Sequence, residues 1–297
     1  MAPNDIIITV ASWEERFWLG FKRIAEQSTP STVVMYYYKE YASVTKAHRD
    51  CVAAFCNNRG IKVLGAELCF QDPVASWRAL YDSVSSLEAC GKNVMVDITT
   101  MPREAIWTVL DIIQDQGAIV QYAYHKPAAY NQEWLSRDPG RPRLIFKLAG
   151  VARLGAPAVL LVLTGYDPDR VRQLMVFFEP KVTLLGIQTG EQFENQTLNA
   201  DRHLREFKNE PGITCFDVDA YCDDRGLSAI ETQVKAYVQD TNLIMSSLGP
   251  KLSAIALHYS HRLHPESSLA YAPSNEFNPE YSAGIGETVV GVLTPWP

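Results

Sequence analysis

The sequence predicts an α/β protein made of two Rossmann-like parallel-sheet halves related by internal duplication, and three observations predict it. Short runs rich in β-branched residues alternate with stretches of helical period along nearly all of the 297 residues. The stretches between successive strands are long enough to be crossover helices, which makes neighbouring strands parallel and covers both sheet faces. The element order of residues 1–150 then recurs over residues 151–297.

In the first half, "DIIITVA" reads as a strand leading into the helix "SWEERFWLGFKRIAEQ". Phe17, Phe21 and Ile24 recur there at helical spacing, with Ser12 expected as N-cap and Glu15 as its capping-box partner. "TVVMYYY" is the next strand, and "SVTKAHRDCVAAFCNNRG" a helix ended by Gly60. "IKVLGAEL" is a third strand, and a helix opened by Asp72-Pro73 runs to Gly91. "NVMVDI", the helix "MPREAIWTVLDIIQDQG" and the strand "AIVQYAYH" complete the half. Residues 125–156, with four prolines and glycines before Gly150, read as a loop-rich connection in which "RLIFKLAG" is an edge strand.

The second half repeats this order. "PAVLLVLT", the Asp-Pro-started helix "DPDRVRQLMVFF" and "KVTLLGIQT" come first. "LNADRHLREFKNEPG", "ITCFDVDA", "SAIETQVKAYVQD", "NLIMSSL", "PKLSAIALHYSHRL" and "SLAYAP" follow, and a terminal "ETVVGVL" adds an edge strand.

Irregular features echo as well. Gly60 and Gly212 each precede a strand, and Asp72 and Asp224 follow them by twelve residues. Tyr124 is followed six residues on by Tyr130 and then Asn131, as Tyr271 is by Phe277 and Asn278. Shared architecture would repeat the elements, but it would not repeat a loop of this composition at one spacing. The expectation is therefore a duplicated unit.

Composition narrows the function. With 47% hydrophobic and 21% charged residues the chain is ordinary for a globular protein, and its net charge of -7 disfavours duplex nucleic acid or anionic membranes as partners. No apolar run reaches the length of a membrane span, and the N-terminus lacks the basic region of a signal peptide. The six cysteines show no CxxC pair and no zinc spacing, and Cys51, Cys56 and Cys90 are expected as small apolar helix residues. A reduced, cytoplasmic protein is the expectation, with no metal and no cofactor.

In open α/β sheets ligands bind beyond the carboxyl ends of the strands, where helix N-termini present free N–H groups. Four loops fit: "ASWEER", "DITTMPRE", "LTGYDPDR" and "SSLGPK". A pseudo-dyad between the halves would bring them round one cleft. In "DITTMPRE", Asp97 ends its strand, Thr99 and Thr100 offer hydroxyls and cap the coming helix, and Arg103 sits in the helix's first turn. A cation is disfavoured there unless something anionic offsets it. These residues could cradle a phosphate or carboxylate, or they could be a Thr cap with a solvated Arg103. In "SSLGPK", Ser246 and Ser247 take the places of Asp97 and a Thr, Gly249 allows close backbone approach, and Lys251 replaces Arg103. Trp13 and Arg16 in the first loop match Tyr166 and Arg170 in the third, where an aromatic beside a hydroxyl (Ser12 or Thr164) could stack and bond a base. For each of those two loops alone, a cap and a core aromatic are the simpler reading. Asn278 and Tyr281 belong to a polar, Gly-containing tail loop that is either a pocket wall or a surface turn.

No Walker loop, GxGxxG, GxSxG or HExxH is present. His258, His261 and His264 share a helix without a carboxylate ligand beside them, and read as surface or core residues.

The motif "DITTMPREA", together with "VASWEER" after the first strand, resembles the ligand-contacting motifs of the Rossmann-like CARF-type sensing domains of prokaryotic defence proteins. The resemblance covers about the first 125 residues and, through the repeat, residues 157–272. It implies a sensor of a nucleotide second messenger, cyclic in form, that hands its signal to a separate effector protein. The departure is that CARF domains pair as homodimers in front of an effector, whereas here two copies lie in one chain with no effector region. A non-catalytic, anion-binding sensor is the leading expectation. The alternatives are an enzyme acting on a nucleotide or phosphorylated metabolite with Asp97 as base or metal ligand, and a partner subunit that binds no small molecule.

Overall fold

A computed structural model describes residues 4–131, 133–190 and 195–293. The chain divides into two compact units, Met1–Glu133 with Asn278–Pro297, and Trp134–Phe277. The first unit begins with β1 (Ile6–Val10), α1 (Glu15–Ser28), β2 (Thr32–Tyr38), α2 (Lys46–Asn57), β3 (Lys62–Leu64) and β4 (Glu67–Leu68). It continues with α3 (Pro73–Ser85), β5 (Asn93–Asp97), α4 (Arg103–Asp115), β6 (Ile119–His125) and β7 (Ala129–Tyr130). The second unit holds β8 (Ser136–Pro139), β9 (Arg143–Leu144), β10 (Ala158–Leu163), α5 (Pro168–Phe178), β11 (Val182–Gln188) and α6 (Asn195–Glu206). It is completed by β12 (Ile213–Val218), α7 (Leu227–Tyr237), β13 (Asn242–Ser247), α8 (Lys251–Leu263), β14 (Ser268–Tyr271) and β15 (Ser274–Phe277). The chain then returns to the first unit as β16 (Ser282–Ala283) and β17 (Thr288–Leu293).

The two sheets have the same order. The first reads β17-β6-β5-β1-β2-β3, with β4 also pairing β2, and the second reads β12-β11-β10-β13-β14-β9. Strands are parallel in both except for one antiparallel edge strand, β17 on β6 and β9 on β14. In each sheet the chain works outward from the first strand, then reverses to that strand's other side, so β1/β5 and β10/β13 flank the reversal.

Smaller features match too. Gly60 and Gly212 both take left-handed backbone, at φ 68° and 76°, to turn into β3 and β12. Asn131 Oδ1 accepts the Glu133 N–H at 3.0 Å, and Asn278 Oδ1 accepts that of Glu280 at 2.9 Å. The echoing loop is thus the same Asx turn built twice. Pro102 and Pro250 precede α4 and α8 with nearly equal backbone angles.

The edge strands follow an unexpected path. By the Tyr/Asn spacing, β9 and β17 occupy corresponding places after Tyr124 and Tyr271. Yet β9 completes the second unit's sheet and β17 the first unit's. The pairs β7 with β16 and β8 with β15 follow the same crossed pattern. A contiguous cut at residue 150, as read from the sequence, therefore differs from the division by contacts: β17 is hydrogen-bonded along β6 from His125 to Val120.

Each unit has its own core. Phe17, Phe21 and Ile24 of α1 are fully buried with Ile7, Val33, Val52 and Met95. Burial of each large side chain contributes roughly 1.5–3 kcal/mol, which is why α1 lies on the sheet by that face. Leu160, Val162, Leu174, Leu185 and Ile244 form the second unit's core. "IKVLGAEL" is two strands rather than one, broken at Gly65, where a Cβ would come within 1.9 Å of the Met35 carbonyl oxygen.

Three local expectations are corrected. Ser12 does not cap α1: Glu14 is the cap residue, and the Ser12 hydroxyl accepts the Glu14 N–H at 3.2 Å. Cys90 lies past the end of α3, and Cys51 and Cys90 are exposed, so only Cys56 of the three is a buried helix residue. Neither Thr99 nor Thr100 caps α4, whose cap position is Pro102.

Candidate functional site

In the first unit the reversal lies between the carboxyl ends of β1 and β5, the place where open α/β sheets bind ligands. The loop after β1 turns sharply because Ser12 bonds Glu14, and this points Glu14 and Arg16 inward. Arg16 is 1% exposed. Its Nε and Nη2 both reach Glu14 Oε2 at 2.9 Å, and Nη1 donates to the His125 carbonyl at 3.3 Å. The Ser282 hydroxyl donates to the same Glu14 oxygen at 2.5 Å. Burial alone would weaken the guanidinium's hold on its proton, but Glu14, then Tyr130 and Tyr124, more than offset this. Arg16 stays charged.

An aromatic wall stands beside this pair. Arg16 Cζ lies 5.8 Å from the Tyr130 ring centre, and the Tyr130 and Tyr124 hydroxyls are 3.1 Å apart. Tyr281 packs edge-on against Tyr130 with centroids 5.9 Å apart. Burial and the Glu14 charge raise the Tyr281 phenol's pKa, while Arg16 and Arg103 pull it down, which puts both cations in its field.

Across the reversal, Asp97 is 1% exposed. Its Oδ1 accepts the Thr99 N–H at 3.0 Å, and its Oδ2 is buried with no hydrogen-bond partner among the described residues. The two threonines are committed elsewhere. Thr99 Oγ1 accepts the His125 N–H at 3.0 Å, tying β5 to β6, and Thr100 Oγ1 donates to the Val10 carbonyl at 3.0 Å, tying the loop to β1. Each hydroxyl thereby bonds a backbone group that neighbouring strand ends would otherwise leave unpaired, Thr99 as acceptor and Thr100 as donor. Arg103 is half-buried at the first residue of α4.

The second unit's reversal is built differently. A Cβ on Gly165 would fall 1.9 Å from the Leu248 carbonyl oxygen, and one on Gly249 would fall 2.5 Å from that of Thr164. The Gly249 N–H donates to Leu163 O at 3.2 Å. Gly249 thus allows one loop's backbone to lie on the other's. Thr164 bonds Gly186 O through both its N–H and its hydroxyl, each at 2.9 Å. Arg170 is buried and donates to the Ala272 carbonyl, the counterpart of the Arg16 bond to His125. The Tyr166 ring carries the Arg202 guanidinium at 4.7 Å. Ser246 and Ser247 are buried, and the Ser246 Oγ, like Asp97 Oδ2, has no hydrogen-bond partner among the described residues. Lys251 is half-buried at the first residue of α8.

The structure therefore brings Ser12, Arg16, Arg103 and Tyr281 into one constellation and adds Glu14, Tyr124, Tyr130 and Ser282. The aromatic echo at Tyr124 and Tyr130 was visible as spacing, but nothing local marks Glu14 or Ser282, which meet across 268 residues of chain. Asn278 forms its Asx turn and is buried. Trp13 turns to a different set of rings, Tyr41 and beyond.

Among the described residues no three His, Cys, Asp or Glu side chains gather as a metal site, and no helix is long and apolar enough to cross a membrane. His258 and His261 are buried on α8, with pKa values lowered to about 3 and about 4, by burial first and then by Arg262 among their neighbours. Below pH 6.5 the unfolded chain takes up protons that these folded imidazoles refuse. Their contribution to stability is whole above pH 6.5 and falls as pH drops towards 4. At pH 5 each should cost about 2 kcal/mol. Urea unfolding at pH 7 and pH 5 checks this, with His258→Leu expected to flatten the difference and an unchanged slope counting against it.

No protein-family model and no curated protein matches the chain. Among solved structures it is similar to the cytoplasmic domain of a prokaryotic cation chloride cotransporter, at 10% identity and TM-score 0.28, over 95% of this chain and 98% of that one. It is also similar to the NADP-bound N-domain of a bacterial malonyl-CoA reductase, at 10% identity and TM-score 0.22, over 89% and 78%. A type I 3-dehydroquinate dehydratase from Clostridium difficile follows at 9% identity and TM-score 0.19, over 88% and 94%. Likenesses at these TM-scores carry no argument about fold or function.

Proposed function

We propose that this chain is a duplicated, sensor-type binding protein that takes a nucleotide or related anionic small molecule at the reversal in its first unit. The observation that carries the reading is Asp97: a buried carboxylate oxygen with no hydrogen-bond partner among the described residues, at the strand end that opens onto α4. A buried acceptor left unpaired costs roughly 1–3 kcal/mol, more when charged, so a position that keeps one suits a ligand's hydroxyl or amine donors. Arg103 and the first turn of α4 supply positive potential for the ligand's anionic group. Close backbone packing of Gly165 on Leu248 and of Gly249 on Thr164 in the second unit's reversal favours the first as the binding unit. Duplication is supported by the common sheet order, the paired Asx turns and the matching bonds of Arg16 to the carbonyl that ends β6 and of Arg170 to the carbonyl just past β14. The CARF-type resemblance of "DITTMPREA" would set such a module in prokaryotic defence signalling.

Thermal unfolding against mono-, di- and cyclic nucleotides tests this. A ligand at a hundred times its dissociation constant should add about 2.7 kcal/mol. Arg103→Ala should abolish the shift and Lys251→Ala should leave it. No shift for any nucleotide class would sink the reading. The same buried oxygen of Asp97 favours an enzyme as second reading, and nucleotide turnover lost in Asp97→Asn with binding retained would establish that instead.

A further inference from the structure

The carboxyl edge of the first unit's sheet carries a row of rings that the Arg16 constellation does not use. Trp13 lies between Ser12 and Glu14 in the loop after β1, Tyr41 ends the short turn after β2, and Phe70 follows β4. Trp13 and Tyr41 have centroids 5.1 Å apart, and Tyr41 and Phe70 5.7 Å. Phe70 stacks on Tyr38 at 3.7 Å with planes 10° apart. Tyr38 is buried, whereas Trp13, Tyr41 and Phe70 are half-exposed.

The row is held in place by polar bonds beneath it. Glu40 Oε1 accepts the Phe70 N–H at 3.0 Å and the Cys69 thiol at 3.4 Å, fixing the loop after β4 to the turn after β2. His48 Nδ1 lies 2.9 Å from the Ser12 carbonyl, fixing the loop that carries Trp13. The rings are thus set before any ligand arrives, which lowers the ordering cost of binding. In the second unit the ring at the place of Trp13, Tyr166, carries the Arg202 guanidinium.

We infer that Trp13, with Tyr41 and Phe70, forms a stacking surface for a flat heteroaromatic ring, so that the ligand of this unit is one that carries a base. The inference rests on the nucleotide-type reading above and narrows it. Its geometry follows from one loop: residues 12–14 present Trp13 to the ring row and Glu14 to Arg16, on the edge of the sheet where Asp97 ends β5. Indole and phenol rings offer a large face at little entropic cost, and they accept any base because each base has a π-face.

The test uses the full chain and four probes: a nucleoside monophosphate, a cyclic dinucleotide, ribose 5-phosphate and inorganic phosphate. Calorimetric titration should find the base-bearing probes bound at least about tenfold more tightly than ribose 5-phosphate. Trp13→Ala should weaken them by about tenfold to a hundredfold, and Trp13→Phe should restore most of that loss. If Trp13→Ala does not fold, Tyr41→Ala and Trp13→Phe carry the comparison, with a loss of ligand-induced indole quenching in Trp13→Phe as its optical sign. Equal binding of ribose 5-phosphate and the mononucleotide overturns the inference. So does unchanged affinity in the ring variants while Arg103→Ala still abolishes binding, an outcome that leaves the anion-binding reading standing. No binding by any probe overturns both.

Discussion

A chain ending at Gly286 is expected to lose the fold of its first unit while keeping that of its second. The deleted strand, β17, supplies the whole antiparallel edge of β6, from Thr288 opposite His125 to Leu293 opposite Val120. Val290 packs on the first core, and Leu293 is 2% exposed. Thr288 also holds a polar knot together: its hydroxyl accepts from Arg23 Nη1 at 2.9 Å and meets His125 Nδ1 at 2.8 Å. Without it, the buried His125 ring would lose its Thr288 bond and β6 the partners of its β17-facing edge, and each such group left buried costs roughly 1–3 kcal/mol. Several at once exceed the net stability of an ordinary domain, about 5–15 kcal/mol. Scanning calorimetry should show one transition lost or lowered by more than about 10 °C and the other kept. A peptide of residues 287–297 added in excess should restore it. An unchanged melt would mean that β17 is dispensable.

The crossed edge strands sharpen this expectation. Residues 134–277 contain every strand of the second sheet, β9 included, and should fold alone. Residues 1–150 and 151–297, the contiguous halves, would each lack the edge strand that the other carries. They should fold poorly apart and associate when co-expressed.

The second large effect is expected at the buried ion pair. Arg16→Ala removes both guanidinium bonds from the Glu14 carboxylate, which is 9% exposed and keeps the Ser282 hydroxyl bond. Removing one partner of a buried pair costs about 3–5 kcal/mol, because the charge left behind has neither water nor counter-ion. Glu14→Gln should cost somewhat less, since an amide can still accept from Arg16 and Ser282. The double change Glu14→Leu with Arg16→Met should recover much of the loss, as isosteric apolar replacements of buried pairs do. Urea midpoints of the four chains decide the matter. A single Arg16→Ala loss below about 1 kcal/mol would show the pair to be solvated. Because Arg16 also bonds the His125 carbonyl, the same change should lower any nucleotide response.

Much of the fold was legible in the chain. β1, β2, β5 and β6 and their helices follow from period and punctuation, the break between β3 and β4 does not, and the Tyr-x5-Tyr/Phe-Asn spacing marks a turn that the structure builds twice. The site was only partly legible. The loops after β1 and β5 were found because a strand end, a small polar residue and a helix start are local signals. The partners of their side chains were not found. Thr99 and Thr100 look like ligand or cap hydroxyls in one dimension, and only β6 and β1 beside them show that backbone groups claim both. Gly249 gives no local sign of the Thr164 carbonyl that packs on it.

The sequence by itself determined the α/β class, the order of the elements and the presence of edge strands near residues 143 and 288, because period, caps and turns act over a few residues. Only the tertiary structure decided which sheet each edge strand completes, that Glu14 meets Ser282, and which backbone groups the loop hydroxyls bond. Those outcomes depend on pairings between residues far apart in the chain, where many partners satisfy the same local pattern and packing selects one.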